Sequence, residues 1–369
     1  MDHARHDSGN TMTTRMTFLP DGDLADLDEL VGQILTDRSD DDRVARIDAA
    51  PGTWDEPLYA TLTDSGILAA LTGDEDEPGL GAQGLLLVAG HAGRTLQRTP
   101  LVPSAVAALA AARAGHHDLA DRIAAAEVRV AVAEPTDLEA LTVGERVTGS
   151  CGFVTHGAMA SHYLVLAHDG AVALVPADAS GVEVRSTGWG YTEDTAVTFD
   201  VAAADVEVLS GATADDVRGL WRMALAALVR GAGSEAIART AAYVSERHQF
   251  GAPLSTKQGV AHRAADAHID TECIWLTALQ AAVLLDDAES TPAARSRASL
   301  EAAWWASSAG VRVVHATQHL HGGMGADTDN HIHRFFTFVR GLAMTLGPAD
   351  RLLEALGGVL VDHTQGGSR

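Results

Sequence analysis

The 369-residue chain has only two cysteines, Cys151 and Cys273. This excludes a disulfide framework or a cysteine-rich zinc site as its organising device and fits a reducing compartment. Lysine is nearly missing: Lys257 is the single one, and arginine carries the rest of the positive charge. Cations are scarce altogether, 26 Lys plus Arg against 50 Asp plus Glu, for a formal net charge of −24. So acidic a surface repels a phosphate backbone and argues against nucleic-acid partners, while leaving room for a local basic patch that holds a diphosphate. No apolar run reaches the roughly 18 residues of a membrane span. Residues 1–17 lack the apolar segment of a signal peptide and read as the disordered leader of a cytoplasmic chain. Also missing are the Gly-x-Ser-x-Gly elbow of serine hydrolases, a phosphate-binding P-loop and a Rossmann glycine fingerprint set at a strand-to-helix turn.

With 46% hydrophobic and 21% charged residues, what remains is an ordinary globular composition with a large core to bury. Three textures follow one another. Residues 18–126 read as a helical domain. Leu24, Leu27, Leu30, Val31 and Leu35 fall at helical spacing, the alanine-rich stretch from Pro103 to Ala126 defaults to helix, and the glycine-rich stretch Gly79–Gly84 separates helices. Residues 127–210 turn to short β-branched runs: Val128–Val132, Ser161–Leu166, Ala171–Val175 and Gly181–Arg185. With Asp169-Gly170 as a hairpin signal, they predict a small β domain. Residues 211–360 return to long helices, and 361–369 form a tail.

The helix starts have chemical reasons. Thr213 with Asp216 three residues on resembles a capping box and opens a helix to about Arg247. Gly251 and Pro253 break it. Ser255 with Gln258 is a second box, starting a helix to about Asp287, and Thr291-Pro292 starts a third that stops at Gly322-Gly323.

Two segments carry chemistry. Tyr243–Gln258 (YVSERHQFGAPLSTKQ) sets Arg247 beside a Phe-Gly break and a new helix N-terminus. An arginine next to free backbone N–H groups is a site for a buried diphosphate, and Phe250 offers a flat face to a purine. Gln318–Gly325 (QHLHGGMG) lets the backbone approach a ligand closely at Gly322 and Gly323. Each alone is a helix end; the two together in this helical setting are more specific.

This pattern, Tyr-x-x-x-Arg-x-x-Phe-Gly-x-Pro-Leu-x-x-x-Gln followed by Gln-x-x-x-Gly-Gly-x-Gly, resembles the C-terminal domain of acyl-CoA dehydrogenases. The resemblance implies an α+β fold with an N-terminal helical domain, a middle small β-barrel or sandwich and a C-terminal four-helix bundle. It also implies FAD shared at a subunit interface. Arg247, Phe250 and Gln258 would reach the FAD of a neighbouring subunit, as would Gln318, Gly322 and Gly323.

The middle zone departs from the family. Where the family reads Thr-Glu-Pro, a Gly-Ser-Asp signature and Trp-Ile-Thr, this chain has Ala133-Glu134-Pro135, residues 136–141 without Gly-Ser-Asp, and Phe153-Val154-Thr155. Thr155 alone keeps a flavin-facing hydroxyl there. The family's glutamate base sits at one of two positions, which fall here on Trp221 and Leu346; neither accepts a proton. No catalytic residue is therefore assigned. Glu235 and Glu246 read as surface carboxylates, and Asp215 and Asp216 as first-turn acids that suit the helix dipole. His319, His321, His331 and His333 do not make a convincing metal set, because no cysteine or carboxylate group joins them.

The sequence thus reads as the non-catalytic subunit of a heteromeric FAD-dependent acyl-CoA dehydrogenase, similar to the α2β2 enzymes that actinobacteria use on steroid side-chain CoA thioesters. Its partner would be a homologous catalytic subunit that holds most of the acyl-CoA, in a pocket free to widen for a bulky substrate. Two alternatives stay open at this stage: a self-sufficient flavin dehydrogenase with a displaced base, and a scaffold that binds no FAD.

Overall fold

The computed structural model describes residues 20–366 except 51, 74–76, 136–140, 189–190 and 193, and describes no side chains beyond 361. The expected leader (1–17), residues 136–140 of the missing signature and the last three tail residues lie outside the described residues.

Seven helices come first: α1 (Asp23–Arg38), α2 (Asp41–Asp48), α3 (Glu56–Asp64), α4 (Ile67–Thr72), α5 (Gly81–Arg94), α6 (Leu101–Arg113) and α7 (His117–Ala124). Helix α1 buries Leu27, Val31 and Leu35, while Leu30 is 41% exposed. Leu30 precedes Val31 by one residue, about 100° around the helix, so it leaves the stripe expected to hold it. The alanine-rich stretch is two helices rather than one, because the chain turns at Gly115, where φ is 82°. The glycine-rich stretch separates α4 from α5 only in part: Gly79 and Leu80 lie between them, but Gly81 opens α5 and Gly84 is inside it. The α5 start is held from a distance. The Asp286 carboxylate accepts from the N–H groups of Ala82 (2.7 Å) and Gln83 (3.0 Å), and Arg113 pairs with the same carboxylate at 2.6 Å.

Eight strands follow: β1 (Val130–Ala133), β2 (Leu141–Val143), β3 (Arg146–Val154), β4 (His162–Leu166), β5 (Val172–Pro176), β6 (Val182–Ser186), β7 (Thr195–Ala202) and β8 (Glu207–Val208). They form two four-stranded sheets, ordered β1-β4-β5-β8 and β2-β3-β7-β6. Only the β1–β4 pair is parallel, and Leu166 pairs with Val172 across the hairpin that Asp169-Gly170 predicts. The first sheet is apolar on both faces. Val130, Val132, Leu164, Leu166, Val172 and Leu174 join the helical core. The alternate residues Ala131, Ala133, Tyr163, Val165 and Val175 meet Val147, Cys151, Phe199 and Val201 of the second sheet. Burial on both faces is why β1, β4 and β5 read as continuous apolar runs, whereas β7 alternates.

The last zone contains α8 (Ala214–Glu246), a two-residue hairpin of β9 (His248–Gln249) and β10 (Ala252–Pro253), then α9 (Gln258–Asp286), α10 (Pro292–Leu320), α11 (Ile332–Leu346) and α12 (Ala349–Gly366). Thr213 and Thr291 cap α8 and α10, each accepting a backbone N–H at 3.2 Å. The expected Ser255 cap does not form: Leu254–Thr256 is a 3₁₀ turn, and α9 begins after Lys257 with no side-chain cap. Among the described residues no helix is long and apolar enough to cross a membrane.

Helices α5 and α8 touch backbone to backbone. A Cβ on Gly231 would stand 2.0 Å from the Gly90 carbonyl oxygen, and one on Gly93 would stand 2.0 Å from that of Leu228. Only glycine permits this approach. Gly231→Ala is therefore expected to destabilise the fold by about 2 kcal/mol, because overpacking outweighs the better helix propensity of alanine. A Cβ on Gly90 meets nothing within 4 Å, so Gly90→Ala should be neutral or slightly stabilising. Urea unfolding midpoints compare the two; equal midpoints would overturn the account.

Candidate functional site

The two sequence segments meet at one end of the helical bundle. Tyr243, in the last turn of α8, stacks on His321 at the end of α10, with ring centroids 4.4 Å apart and planes 15° from parallel. The Tyr243 hydroxyl reaches the His321 carbonyl at 3.5 Å. Four residues beyond Tyr243 comes Arg247, whose carbonyl accepts from Leu254 N–H at 2.8 Å and closes the hairpin.

The hairpin tip is Phe250-Gly251, with φ of 54° and 78°. Both are left-handed, as a two-residue turn between right-twisted strands requires, and Asn-Gly is the usual solution. A phenylalanine there costs about 1 kcal/mol. It is also 94% exposed, the most exposed of the large hydrophobic side chains among the described residues. Arg247 and Gln258 are exposed too, and neither side chain has an ion pair or hydrogen bond among the described residues. The uncapped α9 start lies between them in sequence. Across the stack, Gln318 donates its amide to the Gly325 carbonyl at 3.0 Å, which leaves its side-chain oxygen free. Exposed Gly322 and Gly323 open a 3₁₀ turn, Gly322–Ala326. Six of the seven expected contact residues thus lie on one outward-facing surface.

Thr155, the seventh, sits elsewhere. It is 1% exposed and its hydroxyl lies 2.6 Å from that of Thr192, which donates to Asp194 at 2.7 Å. With the Thr192 hydrogen committed to Asp194, Thr155 is the donor of its pair and has no hydrogen left for a ligand. The neighbouring His156 is buried in a left-handed conformation, φ 60°, and neither ring nitrogen has a partner among the described residues. Nothing in the sequence distinguishes this histidine from a turn residue; its burial is a tertiary fact.

The β domain is tied to α8 by an ion-pair cluster. Glu134, just after β1, pairs with Arg218 at 2.9 Å and Arg222 at 3.5 Å, all three side chains being mostly buried. Sequence reading missed this tie, since the three residues are too far apart in the chain for any local rule to join them. Trp221 stands between those two arginines in sequence and is fully buried, with no partner for its indole nitrogen among the described residues. Leu346, at the end of α11, is buried as well. Both expected base positions are therefore packed into the apolar core. Three of the four histidines have other employment: His331 accepts from Arg334 at 2.9 Å, His333 donates to the Asn330 carbonyl, and His321 donates to the Thr317 carbonyl. Among the described residues no three His, Cys, Asp or Glu side chains gather as metal ligands.

Burial, with Arg98 nearby, pulls His156 from the ordinary 6.5 down to about 3, so the folded protein keeps it neutral. Unfolded His156 gains a proton near 6.5, so its contribution to stability is complete above that pH and is lost as pH falls toward 3. His156→Asn keeps the left-handed turn. Its urea midpoint should fall less than that of the wild type between about pH 7 and pH 5; parallel slopes would overturn this.

The chain matches the family model described as acyl-CoA dehydrogenase, C-terminal domain, over residues 219–360. It is 30% identical over 367 residues to acyl-CoA dehydrogenase FadE27 of Mycobacterium tuberculosis, an alignment covering 91% of this chain and 96% of that protein. Among solved structures it is similar to a variant of the Tcur3481–Tcur3483 steroid ACAD, 33% identical with a TM-score of 0.83, covering 93% of this chain and 98% of that one. It is also similar to the ChsE4–ChsE5 complex from Mycobacterium tuberculosis, 28% identical with a TM-score of 0.82, covering 94% and 99%. By fold and by these relatives, the chain belongs to the acyl-CoA dehydrogenase family.

Proposed function

We propose that this chain is the non-catalytic subunit of a heteromeric, cytoplasmic acyl-CoA dehydrogenase, built from the units 18–126, 127–210 and 211–360, and that it completes the FAD site of a homologous catalytic subunit. The observation that carries this reading is a division within the one chain. Arg247, Phe250 and Gln258, suited to the outer half of FAD, face outward with no side-chain bond among the described residues, and half-buried Gln318 has committed only its amide, while both positions for a base are buried tryptophan and leucine.

Dehydrogenation of an acyl-CoA thioester needs a carboxylate for the α-proton, and FAD, when bound, supplies the acceptor for the β-hydride. The residues present fit one end of that cofactor. Arg247 offers a bidentate charge to the diphosphate, the uncapped α9 amides add donors, and Phe250 presents a face to the purine. Gln258, Gln318 and the backbone at Gly322 and Gly323 complete the surface. The other end offers less: Thr155 has committed its one hydrogen to Thr192, and Glu134 with its two arginines ties the β domain to α8. A subunit so tied leaves the acyl chain to its partner. The heteromeric names of two structural relatives support an α2β2 assembly, and the steroid name of one supports a bulky steroid side-chain CoA as substrate.

The test is to purify the chain alone and co-expressed with a homologous, glutamate-bearing subunit encoded beside it, then to measure flavin absorbance and native mass. Expected are a colourless chain alone and a yellow heterotetramer with one FAD per pair of unlike subunits. A yellow, active homo-oligomer would replace this reading with a displaced base, and a colourless complex with a scaffold. In the complex, Arg247→Ala should weaken FAD by roughly 1.5–3 kcal/mol, about 10- to 100-fold in Kd, through loss of a charge-assisted bond.

A further inference from the structure

We propose that Tyr243 and His321 are positioning residues, a stacked clamp that fixes the distance between the two FAD-contacting segments; this deepens the reading above and rests on it. The segments belong to different helices. Arg247, Phe250 and Gln258 follow α8, whereas Gln318, Gly322 and Gly323 end α10. A ligand that spans both gains affinity only if their spacing is set before it binds, since ordering two independent arms on binding costs entropy.

Tyr243 and His321 tie the helix ends directly, through their ring stack and a long hydroxyl-to-carbonyl contact of 3.5 Å. Tyr243 and His321 lie nearly parallel at 4.4 Å, and His321 is 6% exposed. Each ring is anchored to its own arm. His321 donates from Nδ1 to the Thr317 carbonyl at 2.9 Å, one turn back on α10, so the ring cannot rotate without losing that bond. Its backbone N–H donates to the same turn, to Thr317 and Gln318, and Gly322 is the next residue. On the other side the Tyr243 carbonyl accepts from Arg247 N–H at 2.9 Å, and Arg247 in turn closes the hairpin through Leu254. The connection therefore runs from Gly322 through His321, Tyr243 and Arg247 to the hairpin carrying Phe250.

The test needs no cofactor at its first stage. Hydrogen exchange is measured on the full chain, reading the amides of Leu254 and His321. Tyr243→Ala should raise exchange at Leu254 and His321 about threefold to tenfold, the range of a lost ring stack, while Tyr243→Phe stays within about twofold of wild type because the stack survives and only the long 3.5 Å hydroxyl contact is lost. Tyr243→Leu, which fills the same space without a stacking ring, serves if the alanine variant does not fold. Unchanged exchange in the variants without the ring, or equal loss in Tyr243→Phe, overturns the clamp. At the second stage, FAD titration of the complex with the homologous subunit should show Kd raised by a similar factor in Tyr243→Ala and restored in Tyr243→Phe. Arg247→Ala is titrated in parallel. If Arg247→Ala leaves Kd unchanged, the FAD reading itself fails; if Arg247→Ala weakens FAD and Tyr243→Ala does not, the positioning role fails and the reading stands.

Discussion

The rest of the molecule depends on how closely α5 and α8 approach. Where Gly231 faces the Gly90 carbonyl and Gly93 faces that of Leu228, two helix backbones meet with no side chain between them. This contact fixes the longest helix of the chain against the N-terminal helices. From there the start of α8 is carried to the β domain, where Arg218 and Arg222 find Glu134, and its end is carried outward to Tyr243 and Arg247. The Asp286 carboxylate adds a second tie. It caps α5 from the end of α9 and holds Arg113 of α6, so three elements distant in sequence share one charge-assisted junction.

The polar groups divide according to that frame. Toward the interior they are used up by one another: Thr155 by Thr192, Thr192 by Asp194, Glu134 by two arginines. At the exposed helix ends Arg247 and Gln258 have no side-chain bond among the described residues, and the hairpin tolerates a left-handed, exposed phenylalanine. Backbone strain of this kind persists where surrounding structure or function requires it.

How much of this could be read in advance differs from element to element. Thr213 and Thr291 announce their helices because a cap acts over three residues and leaves a local signature. The Asp169-Gly170 hairpin and the doubly apolar strands are legible for the same reason. Ser255 misleads: it has the right spacing to Gln258, but the hairpin next to it holds Leu254–Thr256 in a 3₁₀ turn and moves the helix start past Lys257. The glycines of α5 mislead as well, because packing against α8 and an Asp286 cap from across the chain override their tendency to break helices.

For the site, the sequence by itself determined the chemistry available: an arginine, a phenylalanine and glutamines set around two helix ends, and no carboxylate at either place where a base belongs. These are statements about residue identity and spacing, which the chain carries without folding. Only the tertiary structure decided which groups remain free to act. Arg247 and Phe250 face outward, Thr155 is enclosed with its hydrogen committed, and Tyr243 meets His321 across 78 residues of sequence. Availability depends on burial and on partners brought from elsewhere in the chain, and no local pattern encodes either.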